Sequence, residues 1–261
     1  MIFSIVFVIV LESLKNTYKN IACHIIDRQL LQAPTVGIIL FSLQKKFFDM
    51  FELALSILVS YLIGSLNSSL ILGKINNYDV REHGSGNAGA TNTYRIHGKI
   101  QGAIVFCFDC FKGFFAIKLA ESLILLELHN PLFDIEIYLY FSALSVVIGH
   151  CYPLWFQFKG GKGAATGLGI FLYFEPFLVA PSLLVWMLSL VVFRFVGLST
   201  ILAFLTLPIF IFLYERQNYI NLAFFSLIVG LFILFTHRQN INSMLKGTEH
   251  RVSFSLKSDA N

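Results

Sequence analysis

A chain of 261 residues in which 56% are hydrophobic and 13% are charged does not have the composition of a water-soluble domain, where about a quarter of residues are charged. Its 28 Phe and 10 Tyr are too many apolar rings for one water-soluble core of this size. The formal net charge of +4 does not indicate a nucleic-acid partner, whereas the mean hydropathy of +0.73 indicates membrane spans.

Apolar stretches long enough to cross a bilayer, which takes about twenty residues, recur along the chain. They lie at 51–73, 102–126, 137–154, 177–195, 199–214 and 219–236. A shorter stretch rich in small residues, 163–174, fits either a short span or a re-entrant segment. Counted as a span, it gives an all-α polytopic membrane protein with seven transmembrane helices.

The Lys and Arg residues fall on one side of this seven-span arrangement. That side holds Lys74, Arg81, Arg95, Lys99, Lys159, Lys162, Arg194, Arg238, Lys246, Arg251 and Lys257. On the other side, 127–136 and 175–176 contain no Lys or Arg, and 215–218 contains only Arg216. Because cytoplasmic loops are enriched in Lys and Arg, we expect the start of the first span outside and the C-terminus inside.

Residues 1–49 fit this arrangement less well. Their apolar stretch is short, and their basic residues would breach the charge rule if they lay outside. They are either an extension or the result of an upstream start that is not used. We therefore divide the chain into 1–49, a membrane domain at 50–251 and a cytoplasmic tail at 252–261.

The first of three polar clusters follows the first span. Its glycines let the backbone approach a ligand closely, its small polar side chains supply neutral donors, and Arg95 supplies a planar fork suited to phosphate. An ordinary glycine-rich turn needs only one or two such residues, so this density favours a binding function. The candidates are Gly84, Ser85, Gly86, Asn87, Thr91, Asn92 and Arg95.

The second cluster combines His150 with a glycine-lysine loop that precedes a helix. Backbone N–H groups, the positive end of the helix dipole and an ammonium group together make an anion site. A basic cytoplasmic loop would explain the lysines but not the glycines, and the spacing is not that of a Walker A loop. The loop residues are Lys159, Gly160, Gly161, Lys162 and Gly163.

The third cluster, with His237, Asn240 and Glu249, follows the last span and fits a functional site and a polar C-terminal cap equally well. Asp109 and Lys112 lie three residues apart inside the second span, where unpaired charges are costly. We expect these two to pair with each other or to face the polar cavity.

Four motifs in this order resemble the bacterial acyl-phosphate:glycerol-3-phosphate acyltransferase family, PlsY. They are GSGNAGATN, the Asp-x-x-Lys-Gly at Asp109, GHxxP with FKGGKGAAT, and HRxNI with KGTE. The resemblance covers about Met50 to Arg251. It implies a bacterial inner-membrane enzyme with a cytoplasmic site that makes lysophosphatidic acid in the first acylation step of phospholipid synthesis, without metal, cofactor or acyl-CoA.

The resemblance also implies roles for individual residues. Ser85, Arg95, His237 and Asn240 are the expected catalytic residues. Together with the polar clusters themselves, the resemblance gives the expected substrate-binding residues Gly84, Gly86, Asn87, Thr91, Asn92, His150, Lys159, Gly160, Gly161, Lys162, Gly163, Thr200 and Glu249. Gly197 stands where the family usually has Ser, which makes the nearby Thr200 the better candidate for a hydroxyl contact.

Two questions remain open at the level of sequence. The proton of the attacking hydroxyl can go to His237 or His150, which titrate near neutrality, or to a substrate phosphate, as the resemblance suggests. The competing class is an organic-anion or phosphate-ester transporter, but a transporter favours polar groups near the bilayer midplane. The expected partners are acyl-phosphate, glycerol 3-phosphate, membrane lipid and, transiently, the soluble enzyme that makes acyl-phosphate.

Overall fold

The computed structural model describes residues 34–127, 134–214 and 219–253, and within these ranges it is helical without strands. The first 33 residues, Arg216 and the tail beyond residue 253 lie outside the described residues. The helices are α1 (Pro34–Ser65), α2 (Ser68–Ile75), α3 (Ala90–His97), α4 (Lys99–Glu127), α5 (Ile135–Cys151), α6 (Ala164–Phe174), α7 (Pro176–Phe193), α8 (Val196–Tyr214), α9 (Ile220–Thr236) and α10 (Arg238–Leu245).

Four stretches of the described residues are helical, long and apolar enough to cross a membrane. They are Lys45–Ser65, Ile135–Phe156, Pro176–Phe193 and Val196–Tyr214. A fifth is added if α9 and α10, which meet at a bend of 52°, count as one span. The all-helical fold class is confirmed, whereas the seven spans and the orientation of the termini stay predictions.

The first span differs from the predicted 51–73. Helix α1 ends at Ser65, and Asn67 begins α2 because its Oδ1 accepts a hydrogen bond from the Leu70 amide at 3.1 Å. The Asn67 amide also donates to the carbonyl oxygen of Ala88 at 3.2 Å. An Asn in this N-cap position competes with the continuous helix that the apolar pattern alone predicts.

Lys112 of α4 stabilises the break after α1. Its ammonium group donates to the carbonyl oxygens of Gly64 (3.0 Å) and Leu66 (2.9 Å). It also pairs with Asp109 at 2.9 Å, and both side chains are almost fully buried. The expected pairing of Asp109 with Lys112 is confirmed, and it satisfies two charges and two helix-end carbonyls together.

The short helix α6 packs closely against α4. A Cβ at Gly113 would overlap the carbonyl oxygen of Thr166, and one at Gly169 would overlap the carbonyl oxygen of Cys110. Small residues at such crossings let two backbones approach closely, which drives helix association in membranes. Helix α6 is therefore held inside the bundle, with its N-terminus at the end where α3, α4 and α8 begin.

Candidate active site

A cavity of about 680 Å³ opens at this end of the bundle and contains residues of all three polar clusters. Of the expected site residues, it is lined by Ser85, Asn87, Thr91, Asn92, Arg95, His150, Lys162, Gly163, Thr200, His237, Asn240 and Glu249. The other five, Gly84, Gly86, Lys159, Gly160 and Gly161, lie outside the lining. All four expected catalytic residues are thus brought to one cavity from separate parts of the chain.

Asn92 shapes the loop that carries Ser85. Its side-chain amide donates to the carbonyl oxygens of Val80 (2.9 Å) and His83 (3.0 Å), and its Oδ1 accepts from the Ser85 amide (2.8 Å). A Cβ at Gly84, which has a φ of +63°, would overlap the Asn92 oxygen. Asn92 and Gly84 therefore build the turn that presents Ser85 to the cavity.

Arg81 connects the first cluster to the glycine-lysine loop. Its guanidinium group pairs with Asp79 at 2.7 Å and donates to the carbonyl oxygens of Phe156 (3.1 Å) and Lys159 (3.2 Å). Arg81 was not among the expected site residues. The available signal was its position two residues after Asp79 and shortly before the first cluster, because Arg–carboxylate pairs form strong, often bidentate hydrogen bonds.

The two glycines of the second loop do not present their amides to the cavity. The N–H of Gly160 donates to the carbonyl of Cys151 at 3.0 Å, and that of Gly161 donates to the carbonyl of His150 at 3.1 Å. A Cβ at Gly161 would also overlap Nε2 of His150. These glycines allow close packing of the loop on the end of α5, which differs from the expected anion cradle.

The start of α6 provides the backbone donors instead. Gly163 precedes the helix with a φ of +84°, and no side chain caps the helix start. Gly163, Ala164 and Ala165 line the cavity. Because the first amides of a helix have no intrahelical acceptor, this end presents N–H groups and the positive end of the helix dipole to the cavity.

A chain of hydrogen bonds links the second and third clusters. The Lys162 ammonium donates to Oδ1 of Asn240, and Nδ2 of Asn240 donates to Oε1 of Glu249 at 2.8 Å. Thr236 donates to the carbonyl oxygen of Lys162 at 2.9 Å. These contacts fix the orientation of the Asn240 amide and hold Lys162 at the cavity wall.

Two cations face one carboxylate in this part of the cavity. Burial lowers the pKa of Lys162 below its usual range; Glu249 opposes this shift, and Arg95 adds to it. Burial likewise lowers the pKa of Arg95, and Glu249 again opposes the shift. Arg95 and Lys162 together exceed the charge of Glu249, so the cavity favours an added anion such as a phosphate.

His237, the residue that follows α9, is buried with a defined tautomer. Its Nδ1 lies 2.8 Å from the carbonyl oxygen of Ile233, which only accepts hydrogen bonds, so Nδ1 carries the proton. Burial lowers the pKa of His237 to about 4, with Lys162 contributing in the same direction. At neutral pH the ring is therefore uncharged, and its Nε2 is a hydrogen-bond acceptor.

The turn at the start of α8, where Gly197 replaces the usual Ser, contacts the third cluster. A Cβ at Gly197 would lie 3.0 Å from the amide carbon of Asn240. The Thr200 hydroxyl donates to the carbonyl oxygen of Val196 at 2.9 Å and accepts from the indole N–H of Trp186 at 3.2 Å. Thr200 lines the cavity, but its hydroxyl already has two partners in the protein.

The inner part of the cavity is apolar. Its lining there comes from α4 and α6 to α8: Ala103, Phe106, Leu168, Phe171, Val179, Leu183, Ala203, Phe204 and Leu207. On α8 the lining residues extend from Val196 to Leu207, which corresponds to a depth of about 16 Å at 1.5 Å per helical residue. A cationic mouth that continues into an apolar slot fits a ligand with an anionic head and a hydrocarbon tail.

Comparison with known proteins agrees with this geometry. The family model described as glycerol-3-phosphate acyltransferase matches residues 54–247. The glycerol-3-phosphate acyltransferase of Aquifex aeolicus (strain VF5) is 38% identical over 196 residues, which is 75% of this chain and 96% of that protein. The one from Prochlorococcus marinus (strain MIT 9312) is 41% identical over 201 residues, covering 76% and 97% respectively.

Two solved structures are also similar. Both are crystal structures of PlsY (YgiH), an integral membrane glycerol 3-phosphate acyltransferase, at 35% sequence identity over 77% of this chain. The glycerol 3-phosphate form has a TM-score of 0.68 with 96% of that chain covered, and the lysophosphatidic acid form 0.66 with 95% covered. Because the family model and these relatives match most of the chain, the protein belongs to the glycerol-3-phosphate acyltransferase family.

Proposed function

We propose that this protein transfers an acyl chain from acyl-phosphate to the 1-hydroxyl group of glycerol 3-phosphate. The carbonyl carbon exchanges its bond to the phosphate oxygen for a bond to the glycerol oxygen, and the hydroxyl proton leaves with the phosphate. The products are lysophosphatidic acid and inorganic phosphate. The observation that carries this proposal is the single cavity with a cationic mouth and an apolar slot.

The two anionic substrates meet at the mouth. Arg95 and Lys162 neutralise phosphate groups there, and the amides at the start of α6 donate to phosphate oxygens. The acyl chain lies in the slot among the apolar side chains of α4, α6, α7 and α8. Ser85, on the loop fixed by Asn92, contacts the reacting carbonyl group, where a donor stabilises the developing oxyanion.

A substrate phosphate is a better proton acceptor than His237, one of the two histidines that the sequence left open. The phosphate of glycerol 3-phosphate is a monoester with a second pKa of about 6, whereas burial lowers the pKa of His237 to about 4. The more basic group accepts the proton more readily. His237 then accepts a hydrogen bond from the glycerol hydroxyl through Nε2 and orients it, while Asn240 fixes Lys162.

We place the enzyme in the bacterial inner membrane, with seven spans and the site on the cytoplasmic side. The basic residues around the cavity, including Arg95, Lys99 and Lys162, support this orientation through the charge rule. Residues 50–251 form the acyltransferase domain in this proposal. A cytoplasmic site would also meet the soluble enzyme that makes acyl-phosphate.

The test uses purified protein in detergent, with palmitoyl-phosphate as donor and glycerol 3-phosphate as acceptor. We expect lysophosphatidic acid and phosphate to appear in equal amounts, with no product when palmitoyl-CoA replaces the donor. In proteoliposomes, movement of glycerol 3-phosphate across the membrane without ester formation would instead support the transporter and overturn the acyltransferase proposal.

A further inference from the structure

The segment 152–158, between α5 and the glycine-lysine loop, exposes four apolar side chains in seven residues. The exposed fractions are 37% for Tyr152, 42% for Leu154, 59% for Trp155 and 54% for Phe158. We call these four residues the aromatic wedge. Phe158 has a φ of +58°, an uncommon conformation for a bulky residue. The reaction described above uses none of the four side chains.

The other side of the segment is packed on the protein. Phe156 lies against the small cluster of Leu70, Val80 and Ala88. Phe156 thus holds the segment from the inside, while the aromatic wedge faces outward. The exposure of the wedge is therefore a fixed property of the turn.

Several backbone groups of this segment form hydrogen bonds within the protein. The carbonyl of Pro153 accepts from the amides of Phe156 (3.2 Å) and Phe158 (3.0 Å). The Arg81 guanidinium group donates to the carbonyl oxygens of Phe156 and Lys159. These bonds hold the turn in one conformation on the surface of the protein.

Two contacts set the depth of the segment. The Tyr61 hydroxyl donates to the carbonyl oxygen of Tyr152 at 2.8 Å, and the Ser65 hydroxyl accepts from the Leu154 amide at 3.3 Å. Ser65 is the last residue of α1, and the apolar candidate span that contains α5 continues to Phe156. The wedge consequently lies at the level where two spans end.

From these observations we propose that the aromatic wedge inserts into the headgroup region of the bilayer on the side of the active-site mouth. Tyr and Trp prefer this region because their rings are amphipathic, and the adjacent Lys159 suits anionic headgroups. A docking site for a soluble protein is disfavoured, because the segment lies at the level where two apolar spans end and therefore beside the bilayer surface. The wedge holds the glycine-lysine loop at the surface where a water-soluble acceptor meets a membrane-dissolved donor.

Tryptophan fluorescence tests this proposal because the chain contains only Trp155 and Trp186. The Trp186→Phe variant is reconstituted in vesicles of phosphatidylcholine and phosphatidylglycerol that carry a nitroxide either near the headgroup or near the chain end. We expect Trp155 emission to be shifted to the blue of free tryptophan in water and quenched more by the shallow nitroxide. The reciprocal Trp155→Phe variant reports Trp186, which lies in the cavity wall. Its emission should not be quenched more by the shallow nitroxide than by the deep one.

If Trp186→Phe does not fold, subtracting the spectra of Trp155→Phe from those of the wild type isolates the same signal. Emission typical of water-exposed indole, with no quenching by either nitroxide, would overturn the proposal and favour a protein docking site. Stronger quenching by the deep nitroxide would overturn it as well, since the segment would then belong to the hydrocarbon core. Quenching requires no catalysis, so its outcome is independent of the acyl-transfer assay.

Discussion

The guanidinium group of Arg81 donates a hydrogen bond to the carbonyl oxygen of Lys159 at 3.2 Å, across 78 positions of sequence. Through this contact and the neighbouring one to Phe156, the turn that precedes the Ser85 loop holds the loop that leads to Lys162. The relative position of two site loops thus depends on one planar side chain that does not line the cavity.

Replacing Arg81 should disturb catalysis without removing a substrate contact. We expect Arg81→Lys to lower kcat/KM, because an ammonium group cannot reach Asp79 and two carbonyls together. Losing such charge-assisted bonds costs about 1.5–3 kcal/mol. If the whole of this free energy is lost from the transition state, kcat/KM falls roughly ten- to hundredfold. Lys74→Met, which removes an exposed cation of the same region, is the control and should retain activity.

Gly161→Ala tests the packing role of the second loop. The added methyl group would overlap His150 Nε2 and displace either the imidazole or the loop, at a cost of about 1–3 kcal/mol of overpacking. We expect a lower unfolding temperature in detergent together with a raised KM for glycerol 3-phosphate, because Lys162 moves with the loop. Lys74→Ala, at an exposed position outside the cavity lining, serves as the control. A raised KM with unchanged stability would contradict the packing role.

The pH dependence of phosphate binding should respond to Glu249. Lys162 must be protonated to attract phosphate; burial lowers its pKa, and the Glu249 carboxylate opposes that shift. Glu249→Gln removes the opposition, so the pKa of Lys162 falls further. The alkaline limb of the kcat/KM profile should then move to lower pH. Glu82→Gln, at an exposed position outside the cavity, should leave the limb in place.

The acid limb of the same profile distinguishes His237 from a substrate phosphate as the proton acceptor. A phosphate monoester titrates at about pH 6. With a pKa of about 4, His237 stays neutral throughout that range. We therefore expect His237→Asn to lower kcat while an acid limb near the phosphate pKa persists. Disappearance of that limb in the variant would identify His237 as the base instead.

The residues that could be predicted from sequence are those whose chemistry is unusual in a membrane helix. Ser85, Arg95, Lys162 and Asn240 belong to dense polar clusters, and these clusters do meet at one cavity. Sequence does not say where an amide points. It therefore could not show that the side chain of Asn92 and the amides of Gly160 and Gly161 bond within the protein.

The break after α1 was missed for a related reason. Hydropathy is continuous across 51–73, and a window average does not register one polar residue. The Asn67-Ser68 pair was an available N-cap signal, and the Lys112 contacts that stabilise the break come from a helix distant in sequence. Local patterns therefore predicted the helices, whereas the break depends on a tertiary contact.

Arg95 provides the sharpest test of the proposed chemistry, because it is half-buried at the cavity mouth beside Ser85 and Lys162. Arg95→Ala should lower kcat, since a charge-assisted bidentate contact in a water-poor site contributes about 3–4 kcal/mol of transition-state stabilisation, roughly a hundred- to thousandfold in rate. Ser85→Ala should lower kcat in the same way, and Arg95→Lys should recover only part of the loss because it keeps the charge without the fork. Monodispersity in detergent serves as the folding control for each variant. A raised KM for glycerol 3-phosphate with unchanged kcat in Arg95→Ala would place Arg95 at the acceptor phosphate rather than at the reacting acyl-phosphate.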